Sequence, residues 1–386
     1  MATATVERQL YQQDLYELDG EWTGEQKAII ETCRRFIDDE VLPTINKDHN
    51  DGRLPEGIYE KIGALGILEL VAAGELDPVS YGLVSREFER GSSALRSILS
   101  VQGSLVIGCV RDFASEEQKA TWLQKLGTME AIGCFGLTEP DFGSNPAGML
   151  TRAEKTSAGF VLNGSKCWIT SGTKAHVAIV WAKLDGVVKG FLVDTSLPGF
   201  ESQSIKEKWS FRTSDTAMLF LNDVEVPESA LMPGATSLGK AMATLNNARY
   251  GIVWGVIGAA RACFDEALQY LINRPQFDNK PLASHQLIQN KLAWMATEIT
   301  AMELLAKRLG ELKSQGRVKP HQVSLAKMNN CRKALEIART CRELLGANGI
   351  SNEYHVGRRM CDLETVVTYE GTEHIHSLIL GQTLTG

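Results

Sequence analysis

The stretch "GFVLNGSKCWITSG", residues 159–172, has no helical period. β-Branched and aromatic residues stand on both sides of Asn163–Gly164, a dipeptide that favours a tight hairpin turn. The segments that follow share this texture: "HVAIVWAKLDG" (176–186), "GFLVDTSLPGFESQSI" (190–205) and "AMLFLNDVEVP" (217–227). Asp185–Gly186 and Asn222–Asp223 are further turn signals. Residues 130–233 therefore read as a strand-rich domain, a small barrel or sandwich.

Outward from this middle part, helical spacing takes over in both directions. Towards the N-terminus come "EQKAIIETCRRFIDDEVLPTI" (25–45) and "SALRSILSVQGSLVIGCVRDF" (93–113). "SEEQKATWLQKL" (115–126) opens with Ser115 as an N-cap. Towards the C-terminus, residues 237–274, 284–316 and 320–349 read as three very long helices, followed by a shorter pair. Long antiparallel helices joined by short turns form a bundle. The expected fold class is α+β: an N-terminal helical domain (1–129), a middle β domain (130–233) and a C-terminal four-helix bundle (234–386).

Composition narrows the function classes. The net charge of −7 offers no basic excess for nucleic acid. The eight cysteines are scattered with no CxxC pair, which points to buried thiols in a reducing compartment. The first twenty residues carry no charged start and apolar core, so no secretory signal is expected. No run of eighteen apolar residues predicts a membrane span.

The motif that invites a chemical reading is "VVTYEGTEHIHSLILGQ" (366–382). His374 and His376 are two apart, which on a helix places them about 200° apart, so they cannot share one metal ion. No metal is expected. Glu370 lies between helices beside Tyr369 and Gly371, in the apolar setting a general base needs. A solvated surface acid has the same sequence signature. "GANG" (346–349) follows a helix and reads as a C-cap. "TEPDFGSN" (138–145) is either a loop whose N–H groups meet a polar ligand or an ordinary inter-strand connection. Trp168 is either core or a wall for a flat ring.

Six motifs in order resemble the acyl-CoA dehydrogenases: "CFGLTEPDFGSN", "NGSKCWITSG", "RTSDTAMLFLNDVEVPE", "RPQF" with "PLASHQ", "LLGANGIS" and "YEGTEHIH". The resemblance runs from Thr23 to Gly386. Within the family, "FERGSSALRSILSVQGSLV", "LNNARYGIVWGVIGAA" and "TYEGTEHIHSLILGQTLTG" look like the decarboxylating glutaryl-CoA dehydrogenases. This implies a homotetramer with FAD between the β domain and the bundle. Phe135, Leu137, Thr138, Gly143 and Ser144 would line the flavin and the start of the CoA chain. Trp168, Ile169 and Thr170 would cover the ring. Arg274, Gln276, Phe277 and Gln286 would reach the FAD of a neighbouring subunit. Leu345, Gly346 and Gly349 would meet its adenosine or diphosphate part, and Thr372 and Glu373 would flank the diphosphate.

The resemblance also implies Glu370 as base, with an electron-transfer flavoprotein as electron acceptor. Arg96, with Ser97 and Glu89 nearby, would hold the distal carboxylate of a glutaryl group. Tyr369, Ser144, Asn247 and Arg249 would complete the substrate site. Tyr369 matches the type that loses carbon dioxide to give crotonyl-CoA. The alternative is a dehydrogenase or oxidase for another short acyl thioester, without decarboxylation. The implied compartment is the bacterial cytoplasm or the mitochondrial matrix. Three departures stand out: a shortened connection before Val79, Asp278 with one extra residue before Pro281, and Asn145 in place of an acid.

Overall fold

A computed structural model describes residues 14–386. Residues 1–13 lie outside the described part, and with them most of the segment on which the absence of a signal peptide was argued. Eight helices come first: α1 (Gly24–Phe36), α2 (Ile45–Asp51), α3 (Ile58–Gly63), α4 (Ile67–Ala73), α5 (Pro78–Gly91), α6 (Ser93–Ser100), α7 (Gly108–Phe113) and α8 (Glu116–Gly127). Thr23 and Ser115 close capping boxes on α1 and α8, each satisfying orphan N–H groups at a helix start. A π-helical segment, Val101–Ile107, joins α6 to α7. The resulting stretch Ser93–Phe113 is long and apolar enough to cross a membrane, but 94% of its most apolar 18-residue window is buried inside the fold. It is the core helix of the first domain.

The middle part is one seven-stranded sheet that curls on itself. Its strands are β1 (Gly133–Gly136), β2 (Arg152–Lys155), β3 (Gly159–Thr170), β4 (Val177–Leu184), β5 (Val187–Asp194), β6 (Phe200–Ser204) and β7 (Thr216–Pro227). Asp185–Gly186 is the expected two-residue hairpin, with φ of 50° and 79°.

Asn163–Gly164 is not a hairpin, and Asn222–Asp223 is not a turn between strands. β3 and β7 run straight through both and pair with each other, with a register shift there. The Asn163 amide donates to the Asp223 carboxylate at 2.9 Å, and its carbonyl accepts the Asp223 N–H at 3.0 Å. Two turn-forming pairs facing each other make a mutually capped bulge, because side-chain hydrogen bonds satisfy the backbone that the ladder leaves open.

The C-terminal part holds α9 (Leu238–Asn273), the short hairpin β8 (Pro275–Gln276) and β9 (Lys280–Pro281), then α10 (Gln286–Ser314), α11 (Pro320–Leu344), α12 (Val356–Thr368) and α13 (Glu373–Thr385). The extra residue around Asp278 is absorbed in the β8–β9 loop. Phe277, Asp278 and Asn279 all take left-handed φ values there.

The first domain and the bundle share packing across α5 and α9, and glycines set that approach. A Cβ at Gly258 would lie 1.8 Å from the Arg86 carbonyl oxygen, and one at Gly82 would lie 2.5 Å from the Trp254 ring. Buried ion pairs reinforce the junction. Arg86 and Arg261 both bind Asp19 and Glu303. Burial opposes ionisation of Asp19, but the two guanidiniums hold it well below the usual carboxylate range. All eight cysteines are unpaired and seven are buried, as a reducing environment allows.

Candidate active site

The loop Tyr369–Thr372 between α12 and α13 carries the chemistry. Glu370 sits at φ 57° and Gly371 at φ 99°. A left-handed non-glycine residue costs about 1 kcal/mol, so the surroundings must hold it. They do so through the carbonyls. Arg249 Nε of α9 donates to the Glu370 carbonyl at 2.6 Å. Lys327 Nζ of α11 donates to the carbonyls of Tyr369 at 2.8 Å and Gly371 at 2.9 Å. Thr372 caps α13 by accepting the Ile375 N–H.

Glu370 is thus no surface acid. Its Oε2 is buried without a hydrogen-bond partner. Burial pushes its carboxyl up, and Arg249, Lys327 and Arg96 pull it part of the way back. The two histidines do point apart: His374 is exposed and His376 buried. His376 packs inside the fold. Burial holds it neutral, with its pKa drawn down to about 3. Among the described residues no cluster of three or more His, Cys, Asp or Glu side chains forms a metal site.

Arg96 of α6 lies next to this loop. Its guanidinium stands 5.5 Å from the centre of the Tyr369 ring, which packs nearly perpendicular to Phe211 with ring centres 5.6 Å apart. Arg96 Nε donates to Glu89 Oε2 at 2.7 Å, with both side chains almost fully buried. Burial pushes Glu89 up and Arg96 opposes it. Arg96 Nη2, Glu89 Oε1, Tyr369 Oη and Glu370 Oε2 are all buried and unpaired. Buried polar atoms are nearly always paired, so such a group marks a ligand position. Gly255 of α9 makes the room: a Cβ there would fall 2.1 Å from Glu89 Oε2 and 3.2 Å from Arg96 Nε. Gly255→Ala should shift the pair and raise the KM for a dicarboxylyl thioester about tenfold, leaving that for butyryl-CoA nearly unchanged. An equal rise for both would remove the pair from substrate selection. Ser97 is buried beside it. Asn247 instead accepts from Lys313 at 2.7 Å and is tied to α10.

On the sheet, a second bulge between Lys166 and Ile169 of β3 sets two residues, Cys167 and Trp168, against one on β7. Trp168 takes φ 63° and is 60% exposed, while Ile169 points into the sheet core. The bulge thus resolves the two readings of Trp168: it is a surface plate and not core. Phe135 and Leu137 are buried at the end of β1, with Thr138 half-buried after them, Thr170 half-buried at the end of β3, and Gly143 and Ser144 exposed on the loop beyond. That loop is pinned by a buried pair. Lys166 Nζ donates to Glu139 Oε1 at 2.9 Å and to the Leu137 carbonyl at 3.2 Å. Glu139 also accepts the N–H groups of Leu150 and Thr151.

The remaining candidates lie at chain turns. Arg274, Gln276, Phe277 and Gln286 are exposed around the β8–β9 hairpin. At the end of α11, Gly346 (φ 59°) has open space where a side chain would be. Gly349 is packed against the Arg342 carbonyl, and Leu345 points into the bundle core. Glu373 is exposed and faces Arg332. Sequence reasoning passed over Lys327, Lys166 and Gly255. A lysine inside an amphipathic helix carries no signal, whereas Gly251, Gly255 and Gly258 on one helix were a readable sign of close packing.

Domain models of the acyl-CoA dehydrogenase family match in chain order: the N-terminal domain over residues 23–130, the middle domain over 134–224 and the C-terminal domain over 238–385. The chain belongs to the acyl-CoA dehydrogenase family. It is 45% identical to the glutaryl-CoA dehydrogenase of Mycobacterium smegmatis, whose crystal structure superposes with TM-score 0.92 over 97% of each chain. A second crystal structure of that enzyme, in complex with FADH2, gives TM-score 0.94 over 96% of this chain and 97% of the other. The mitochondrial short-chain specific acyl-CoA dehydrogenase of Homo sapiens is 33% identical over 92% of this chain and 88% of its own length. FAD is the cofactor of this protein. The exposed Trp168 plate fits a flat ring system.

Proposed function

We propose that the protein oxidises glutaryl-CoA at the α and β carbons and then decarboxylates the product to crotonyl-CoA. The observation that carries this reading is Arg96: a guanidinium buried beside the Glu370 loop, with Nη2 unpaired and Tyr369 of that loop against it. A guanidinium binds a carboxylate through parallel hydrogen bonds, and leaving one N–H group buried and empty is costly. A distal substrate carboxylate supplies the missing acceptor.

Bound FAD supplies the hydride acceptor for the β hydrogen. The chain's own residues do the rest. Glu370 takes the α proton on a carboxylate oxygen, and its buried setting raises its basicity for that task. Arg249 and Lys327 hold the loop in place by its carbonyls. Arg96 fixes the far end of the acyl chain and so would hold the α carbon within reach of the base. Loss of the distal carboxylate as carbon dioxide then leaves a dienolate, which Glu370 reprotonates. Trp168, Thr170 and the Leu137–Ser144 loop would hold the flavin, and Gly346 with the β8–β9 hairpin would meet the FAD of a neighbouring subunit.

The assembly that goes with this reading is a homotetramer. Phe277, Leu287 and Ile350 are each at least 75% exposed, apolar surface that a neighbouring subunit would cover. An electron-transfer flavoprotein takes the electrons onward. The compartment that goes with this reading is the bacterial cytoplasm or the mitochondrial matrix; one of the relatives named above is a mitochondrial enzyme. The likeness to a short-chain enzyme keeps butyryl-CoA as the competing substrate. Stopped-flow flavin reduction across a panel of acyl-CoA thioesters separates the two. Glutaryl-CoA should bleach the flavin fastest and release carbon dioxide and crotonyl-CoA. Bleaching by butyryl-CoA without reduction by glutaryl-CoA would overturn the substrate assignment.

A further inference from the structure

We infer that Lys327 is a positioning residue for the base: it holds the left-handed turn at Glu370 and places a cation at that turn. This rests on Glu370 being the base. Lys327 is 1% exposed, in the N-terminal third of α11. Its ammonium donates to the carbonyls on either side of Glu370, at 2.8 and 2.9 Å, while Arg249 takes the carbonyl of Glu370 itself. Three consecutive carbonyls are thus held by two cations on two long helices. Elongated helices packed in a bundle make rigid anchors, and a loop tied to them inherits their precision.

The electrostatics point the same way. A buried charge is normally paired with an opposite one, because desolvation is costly. Among the described residues, no carboxylate forms an ion pair with Lys327 within 4.0 Å. Burial pushes the Lys327 ammonium down, an ionised Cys331 or Glu370 would favour its charge, and the Tyr369 ring lies 5.9 Å away as a weaker partner. Burial keeps the Cys331 thiol neutral at neutral pH, which leaves the base as the cation's charged counterpart there.

The groups facing Glu370 are Arg96 from α6, Arg249 from α9 and Lys327 from α11. Glu89 lies behind Arg96, and the thiol of Cys331 lies behind Lys327. Tyr369 and His376 come from its own segment. Burial raises the Cys331 thiol to about 11, and His376 stays neutral down to about pH 3, so neither adds charge at neutral pH. A cation beside a carboxylate favours its ionised form. Removing Lys327 raises the Glu370 pKa, and more of the enzyme then carries a protonated, idle base at neutral pH.

The test uses FAD-loaded Lys327→Met and whichever of glutaryl-CoA and butyryl-CoA reduces the wild-type flavin faster. The rate of flavin reduction should fall roughly 10²-fold, with the half-saturating thioester concentration nearly unchanged. The midpoint of its pH profile should move up by about one pH unit. The loss should therefore shrink as pH rises. A uniform loss at every pH, or a wild-type profile, overturns the inference. Should Lys327→Met not retain FAD, Lys327→Gln carries the test: it keeps a donor and drops the charge, so its midpoint must still rise, and an unmoved midpoint overturns the charge role. Glu370→Gln run alongside separates the two readings. An inactive Glu370→Gln with a normal Lys327→Met rejects only the lysine, whereas an active Glu370→Gln rejects the base and the lysine's role together.

Discussion

Glu370→Gln should bind FAD normally and lose flavin reduction by roughly 10⁴-fold, the upper range for removing a general base. The substitution keeps volume and hydrogen-bonding shape, so the loop clamped by Arg249 and Lys327 should persist. What it removes is the only group in that loop able to accept the α proton at neutral pH. Burial pushes the Glu370 carboxyl up. The active form is the deprotonated one, so the wild-type rate should rise with pH through that raised value and then level off. Glu370→Gln should show no such limb. Rapid-mixing measurements of flavin bleaching at several pH values check both points, and normal turnover by Glu370→Gln would remove Glu370 from the role of base.

Arg96→Ala should cut kcat/KM for glutaryl-CoA by about 10³-fold and for butyryl-CoA by no more than about tenfold. Truncating one member of a buried, hydrogen-bonded charge pair costs roughly 2–5 kcal/mol, and a bound dicarboxylyl thioester would strand its own carboxylate as well. The comparison between substrates cancels whatever the change does to the fold. Glu89 is the partner left behind. Burial already pushes its carboxyl up, so without Arg96 it would take a proton rather than remain a buried anion. Equal losses on both thioesters would show that Arg96 supports structure and does not read the acyl chain.

The sequence was informative wherever local pattern carries the signal. The α–β–α order, the three long bundle helices and the Asp185–Gly186 hairpin follow from periodicity and turn chemistry, because hydrophobic spacing is imposed by the element that must bury it. Asn163–Gly164 shows where that logic stops. The dipeptide favours left-handed backbone, and a hairpin and a bulge both use it; only the partner strand, with Asn222–Asp223 opposite, decides between them. Trp168 follows the same rule. Its side was set by a bulge one residue long, and a single-residue slip turns a strand residue from one face to the other.

The site divides in the same way. The motif around Glu370, the Gly371 that permits its turn and the geometric exclusion of a two-histidine metal site were all present in the linear chain. Lys327, Arg249 and Arg96 stand 43, 121 and 274 residues from Glu370 in sequence, and their convergence comes only from helix packing. Sequence by itself determined the family and the cofactor class, and it singled out Glu370 as one candidate acid. Tertiary structure alone decided that this acid is clamped by two cations, that the Arg96 guanidinium has a vacant donor beside it, and that Gly255 leaves the space in which Glu89 and Arg96 pair. Burial and charge proximity are properties of neighbours in space, and the long helices of this fold bring those neighbours from distant parts of the chain.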